Sequence, residues 1–249
     1  MMNLRTLCGA VVLGIAAAIG GASACAGQVD LYVGGSYTGQ DVLNYTYKGS
    51  YDGGGGSIDV SSINGVAVPF LYCVDIPDSV NVSADYRNTL VTSDARVWLG
   101  SDTSNIGTIE NAGSVAYLLA KYGAEASAYA QSHGGSRAAE GGLQAAIWQV
   151  IYGKDFAIDP SCAAYSFYST YYADVTGGNS DPSSWKQAGL GHVLWLSPSN
   201  DPSISLDHAP DRVYQALITA AVPEPASLVA GCTGALALAG FGLLRRRGA

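Results

Sequence analysis

An apolar run at each end divides this 249-residue chain into three parts and limits what can fold as a domain. Met1-Met2-Asn3-Leu4-Arg5 brings one positive charge, Leu7 to Ile19 is apolar, and Gly20 to Ala26 is dominated by small residues. A basic start, an apolar middle and a small-residue exit make the layout of a secretory signal peptide. Ala24-Cys25-Ala26 fits its cleavage rule, with the cut before Gly27, and Ala22-Ser23-Ala24 is a second possible cut. A lipid-bearing Cys25 would want a bulky aliphatic residue where Ala22 stands. At the other end, Ala226 to Leu244 is a low-polarity stretch followed by Arg245-Arg246-Arg247. Such a stretch is about long enough to cross a bilayer as a helix, with the arginines kept on the cytoplasmic side. The expected organisation is therefore a signal peptide over 1–26, an extracellular domain over 27–221 and an anchor segment over 222–249.

The stretch between the ends suits one domain, or two closely packed subdomains, with a sizeable core. The whole chain has 12 Lys+Arg against 20 Asp+Glu. Arg5, Arg245, Arg246, Arg247 and Glu224 belong to the ends, which leaves 8 basic against 19 acidic residues between them. That balance argues against nucleic acid or anionic lipid as partners of the domain. No internal repeat is present, and Asp52-Gly53-Gly54-Gly55-Gly56-Ser57 reads as a flexible loop.

β-branched and aromatic residues predict strands over Val29–Tyr37, Val42–Tyr47, Ser57–Val60 and Val66–Ile76, the last with Pro69 at its start, a bulge or an edge. Val115, Leu118, Leu119 and Tyr122 predict a helix over Ile109–Gln131, with a break near Gly123. Leu143, Ile147, Val150 and Ile151 predict a second helix ending at Gly153. Phe156 to Trp185 reads as aromatic and loop-like, and Gly191–Leu196 and Arg212–Ala220 as closing strands. The resulting fold class is α+β: a β-sandwich or barrel with an inserted helical subdomain, plus a C-terminal transmembrane helix.

Only Cys73 and Cys162 lie in the mature stretch, and in an oxidising compartment two cysteines form a natural disulfide pair. Cys73 also sits in an apolar strand segment, Leu71-Tyr72-Cys73-Val74-Asp75. Downstream, Leu143-Gln144-Ala145-Ala146-Ile147-Trp148 puts Gln144 and Trp148 on one helix face. These two segments, in this order, resemble those of the internal-thioester domains of bacterial surface adhesins, in which a thiolate held against a side-chain amide attacks its carbon and expels ammonia, leaving a Cys–Gln thioester. Such a bond needs apolar cover against water, for which Tyr72 and Trp148 are candidates. Asp75 either supports the site or ends the strand. His133, His192 and His208 are scattered, without a segment that would make one of them a base for Cys73. The acidic stretches Ser101–Asn105 and Asn179–Asp181 lack the ligand spacing of a calcium loop, and no metal cluster or cofactor motif is evident.

Two resemblances carry further expectations. Val222-Pro223-Glu224-Pro225, the apolar stretch and the terminal arginines resemble the PEP-CTERM sorting signal of Gram-negative bacteria. That resemblance implies passage through the inner membrane, recognition by an exosortase, cleavage near the triplet, and delivery to the cell surface or matrix. The resemblance of Tyr72-Cys73 and the Leu143–Trp148 segment to the adhesin thioester domains implies a Cys73–Gln144 thioester that captures an amine of a partner once, without cofactor or turnover. The alternative is a non-covalent structural or matrix-binding domain held by a Cys73–Cys162 disulfide.

Overall fold

The computed structural model describes residues 26–35, 42–100 and 106–221. Residues 1–25 of the expected signal peptide, the end of the first predicted strand, the Ser101–Asn105 stretch and the PEP-CTERM-like tail lie outside the described residues. In chain order the strands are β1 (Ala26–Val33), β2 (Asn44–Tyr47), β3 (Ser50–Gly53), β4 (Ser62–Ile63), β5 (Val66–Ala67), β6 (Tyr72–Cys73), β7 (Ala84–Thr92), β8 (Arg96–Trp98) and β9 (Ile106–Thr108). Then follow α1 (Ala112–Ser132), α2 (Ala138–Tyr152), β10 (Phe156–Ile158), α3 (Tyr165–Thr176), β11 (Val193–Ser197) and β12 (Leu217–Ala220). The fold is mixed α/β: a curled antiparallel sheet, a half-barrel, carries three helices. Its strand order is β5-β4-β1-β7-β11-β12-β6, and smaller sheets form from β10-β2-β3 and β8-β9. Among the described residues no helix is long and apolar enough to cross a membrane.

Period-two alternation divides the interior into two cores. Tyr72, Val74, Trp195 and Ile218 face α1 and α2, where they pack with Val115, Leu118, Leu119, Leu143 and Ile147. Leu71, Cys73, Leu196 and Leu217 belong to the second core, together with Tyr45, Phe156 and Ile158 of the three-stranded sheet. Helix α2 serves both, because Ala145 and Trp148 belong to the second core while Leu143 and Ile147 belong to the first.

Several expectations need correction. The predicted strand Val66–Ile76 is two short pieces, β5 and β6, separated by Pro69, which has no N–H for a ladder. Strand β7 reads poorly in sequence because Asp85, Arg87 and Asn88 interrupt it, yet Tyr86, Leu90 and Thr92 are buried along it. Helix α1 runs unbroken through Gly123, where a Cβ would stand 2.4 Å from the Phe70 ring. That glycine lets a strand-side aromatic ring lie against the helix. The run read as loop contains α3, whose Phe167, Tyr171 and Val175 recur every four residues, with Tyr171 packed on Tyr122 at 4.3 Å between ring centroids.

Helix α3 approaches α2 closely at Gly142, where a Cβ would meet Phe167 Cβ at 2.5 Å, Tyr168 N at 2.8 Å and Ala164 O at 2.9 Å. Two of these are backbone atoms, so α3 itself would have to move. Gly142→Ala is therefore expected to destabilise the domain by about 1–3 kcal/mol despite alanine's better helix propensity. Thermal melting checks this: an unchanged or raised melting temperature would show that the helices have room to separate.

Candidate functional site

Cys73 lies on β6, the edge strand of the large sheet. Opposite residues of an antiparallel pair alternate in which side their backbone groups face. Val74 N–H donates to Ala216 O at 2.9 Å, towards β12, so the N–H and C=O of Cys73 face away from the sheet. The side chain of Gln144 meets them there. Cys73 N–H donates to Gln144 Oε1 at 3.0 Å, and Gln144 Nε2 donates to Cys73 O at 2.7 Å. One side-chain amide thus supplies both bonds that a neighbouring strand would have made. Gln144 is fully buried and can hold this place because α2 lies where the two cores meet.

The glycine-rich stretch expected to be a flexible loop is instead part of this site. Gly54, Gly55, Gly56 and Ser57 are buried, and Ile58 N–H donates to Leu71 O at 2.8 Å, continuing the cover of the β6 edge. At Gly55 φ is +119°, and a Cβ there would stand 2.8 Å from the Trp148 ring and 3.1 Å from Gln144 Cγ. Only glycine meets both conditions. Arg137, just before α2, fastens this segment by donating to Ser57 O at 2.6 Å and to the Asp59 carboxylate.

Trp148 lies one helical turn beyond Gln144, buried against Tyr45 and Phe156 at centroid distances of 5.0 and 5.9 Å. It shares the second core with Cys73. Tyr72 belongs to the opposite core, near Phe70 at 6.0 Å, and its buried hydroxyl has no hydrogen-bond partner among the described residues. The Trp148 side of the sheet, not the Tyr72 side, is therefore the one that surrounds the thiol.

The Cys73–Cys162 disulfide weighed from sequence is not formed; both thiols are free and buried. Cys73 Sγ donates instead to Gln215 Oε1 at 3.1 Å. Cys162 sits in the turn after β10, where its N–H donates to Asp159 O at 3.2 Å and its side chain joins the second core. Gln215 has no signal in the sequence: it lies 142 positions from Cys73, outside any motif.

Burial pushes the Cys73 thiol up to about 12, with the nearby Asp75 charge adding to the shift, so it is neutral at ordinary pH. Asp75 is itself buried and accepts from Gly100 N–H at 3.1 Å. Its carboxyl is pushed up to about 7, chiefly by burial; the Asp78 charge adds to the rise, while Gly100 and Tyr152 oppose it. Glu140 is likewise raised to about 7 by burial, against the pull of Arg137 at 2.8 Å. Arg137 Nε and Glu140 Oε2 form a close ion pair, and among the described residues neither atom has another hydrogen-bond partner. Between the unfolded carboxyl range near pH 4 and about pH 7, the folded chain keeps protons that the unfolded chain has released. Stability is therefore highest at the acid side of this window and falls as pH rises through it. The slope is on the order of 1 kcal/mol per pH unit for each such group. Urea midpoints at about pH 5 and about pH 8 should show this decline, and Asp75→Asn should flatten it. Midpoints that climb with pH would contradict the protonated Asp75.

No family model, curated protein or solved structure matches the chain. What the site can do therefore follows from its own geometry. Among the described residues no group of three or more His, Cys, Asp or Glu could hold a metal ion. Asn179 and Asp181 make ordinary turn bonds, Asp181 N–H to Asn179 Oδ1 at 2.9 Å and Ser183 N–H to Asp181 Oδ1 at 2.9 Å.

Proposed function

We propose that this chain is an exported, surface-anchored protein whose Cys73 and Gln144 form an internal thioester that captures an amine of a partner molecule. The observation that carries this reading is the paired hydrogen bond holding the Gln144 amide on the backbone of Cys73. Cys73 N–H lies 3.0 Å from Gln144 Oε1, where it would stabilise negative charge as sulfur adds to the amide carbon. The S–C bond forms, the C–N bond breaks, and the thiol proton leaves with the amide nitrogen as ammonia. Fixed placement of the two groups can supply up to about 7–11 kcal/mol of the barrier in ideal cases. Trp148, Tyr45, Phe156 and the buried glycine segment keep the bond from water. Capture then joins the amine nitrogen to the Gln144 carbon and returns the proton to Cys73. Each molecule acts once.

The PEP-CTERM-like tail supports delivery through the inner membrane, with exosortase processing, to a Gram-negative surface or matrix. A matrix or neighbouring-cell amine is as suitable a target there as a host protein.

The same paired bonds also support a non-covalent reading, in which Gln144 only closes the edge of the sheet and the domain is a structural or matrix-binding module. A fluorescent primary amine separates the two. Under the thioester reading, incubation with the purified domain labels the peptide containing Gln144 and frees the Cys73 thiol. Absence of label on Gln144 in fresh, folded protein favours the non-covalent reading.

A further inference from the structure

Cys73, Gln144 and Gln215 form a trio in which the third member has no assigned part. Gln215 precedes β12, and its own N–H donates to Ser79 O at 3.3 Å. The next residue, Ala216, accepts from Val74 N–H, which ties this stretch to the chain just beyond Cys73. The orientation of the Gln215 amide is fixed by chemistry. Its Nε2 donates to Asp75 O, and its Oε1 accepts from Cys73 Sγ at 3.1 Å. Turning the amide over would set oxygen against oxygen at Asp75, whose backbone carbonyl can only accept. Cys73 and Gln144 are buried, whereas Gln215 is half-buried, so it is the member of the trio that reaches towards solvent.

We infer that Gln215 is a positioning residue for the proposed thioester: its Oε1 orients the Cys73 thiol and, once that proton has gone, accepts an N–H of the incoming amine. The inference rests on the thioester reading. In the free thiol, Oε1 is occupied by S–H. When the S–C bond forms and ammonia leaves, sulfur has no proton and Oε1 is an empty acceptor beside it. An amine attacking the Gln144 carbon carries two N–H groups and can give one to this oxygen. As the new C–N bond forms and the C–S bond breaks, an amine proton passes to sulfur, and the S–H to Oε1 bond is restored. A thiolate nucleophile has no proton to give and gains nothing from Gln215.

The test compares nucleophiles on the mature, full-length domain. Methylamine and 2-mercaptoethanol are each added to wild type, Gln215→Leu and Gln215→Glu, and adduct formation at Gln144 is followed by mass. Gln215→Leu is expected to lower the methylamine rate by about tenfold, the worth of one hydrogen bond, while the thiolate rate changes far less. Gln215→Glu keeps an acceptor oxygen and should retain most of the amine preference. Equal slowing of both nucleophiles in Gln215→Leu, or slowing of neither, overturns the inference and leaves the thioester standing. If Gln215→Leu makes no thioester, its formation in Gln215→Glu supports the inference, and its absence from both overturns it in favour of a structural role. A wild type that never loses ammonia removes the thioester reading and this inference with it.

Discussion

Gln144→Ala is expected to be less stable than Cys73→Ala, in which the Gln144 amide is intact and no crosslink forms, by about 2–6 kcal/mol, and to react with no amine. The range follows from the two backbone groups that the substitution strands. Cys73 N–H and C=O face off the edge of β6 and, among the described residues, meet only the Gln144 amide there, at 3.0 and 2.7 Å. Each buried group left without a partner costs about 1–3 kcal/mol. Gly55 and Trp148 lie against Gln144 and leave little room for water to replace the lost amide. Gln144→Glu provides a useful comparison. It keeps an acceptor for Cys73 N–H but, when ionised, sets an oxygen against Cys73 O and buries a charge, so it should be poorly tolerated at neutral pH. Urea unfolding of these variants checks this. A loss under about 1 kcal/mol for Gln144→Ala relative to Cys73→Ala would mean that the β6 edge is not closed by this residue.

Methylamine treatment of the folded wild-type domain is expected to lower its stability by about 4 kcal/mol. A Cys73–Gln144 bond closes a loop between residues 71 positions apart, and a crosslink of that span restricts the unfolded chain by about this amount. Capture of methylamine opens the loop and releases the restriction. Cys73→Ala should bring a similar loss, because it removes the crosslink while leaving its own N–H and C=O paired with Gln144. In both cases the slope of the denaturation curve should also rise, since an uncrosslinked chain exposes more surface when unfolded. A midpoint that does not move with methylamine, together with a nearly neutral Cys73→Ala, would contradict the crosslink.

The helices α1 and α2 are legible in the sequence because Leu118, Leu119, Leu143 and Ile147 all feed one core at helical spacing. Closing strands β11 and β12 are legible for the same reason, in period two. Cys73 and Gln144 stand out in sequence through the resemblance of their segments to thioester domains; the bonds between the Gln144 amide and the Cys73 backbone have no sequence signal of their own. Other parts were hidden by composition. Strand β7 carries exposed Asp85 and Arg87 and half-buried Asn88, which break its apolar pattern, and aromatic abundance disguises α3 as loop, although Phe167, Tyr171 and Val175 carry the four-residue signal that reveals it. The glycine run reads as flexible because sequence records conformational freedom and not what the backbone packs against. Here that freedom serves a close approach to Trp148 and Gln144. Compartment and cysteine count point to a Cys73–Cys162 pair, but the fold turns the Cys73 thiol to Gln215. Gln215 itself meets the site only through the pairing of β12 with β6.

Intact mass of the purified mature domain decides whether Cys73 and Gln144 are joined. A thioester gives a species one ammonia lighter than its sequence, which gains one methylamine on treatment, and a full, unreactive mass in both Cys73→Ala and Gln144→Ala. A wild-type mass equal to that of the plain sequence, or two hydrogens lighter and restored by reductant, would contradict it.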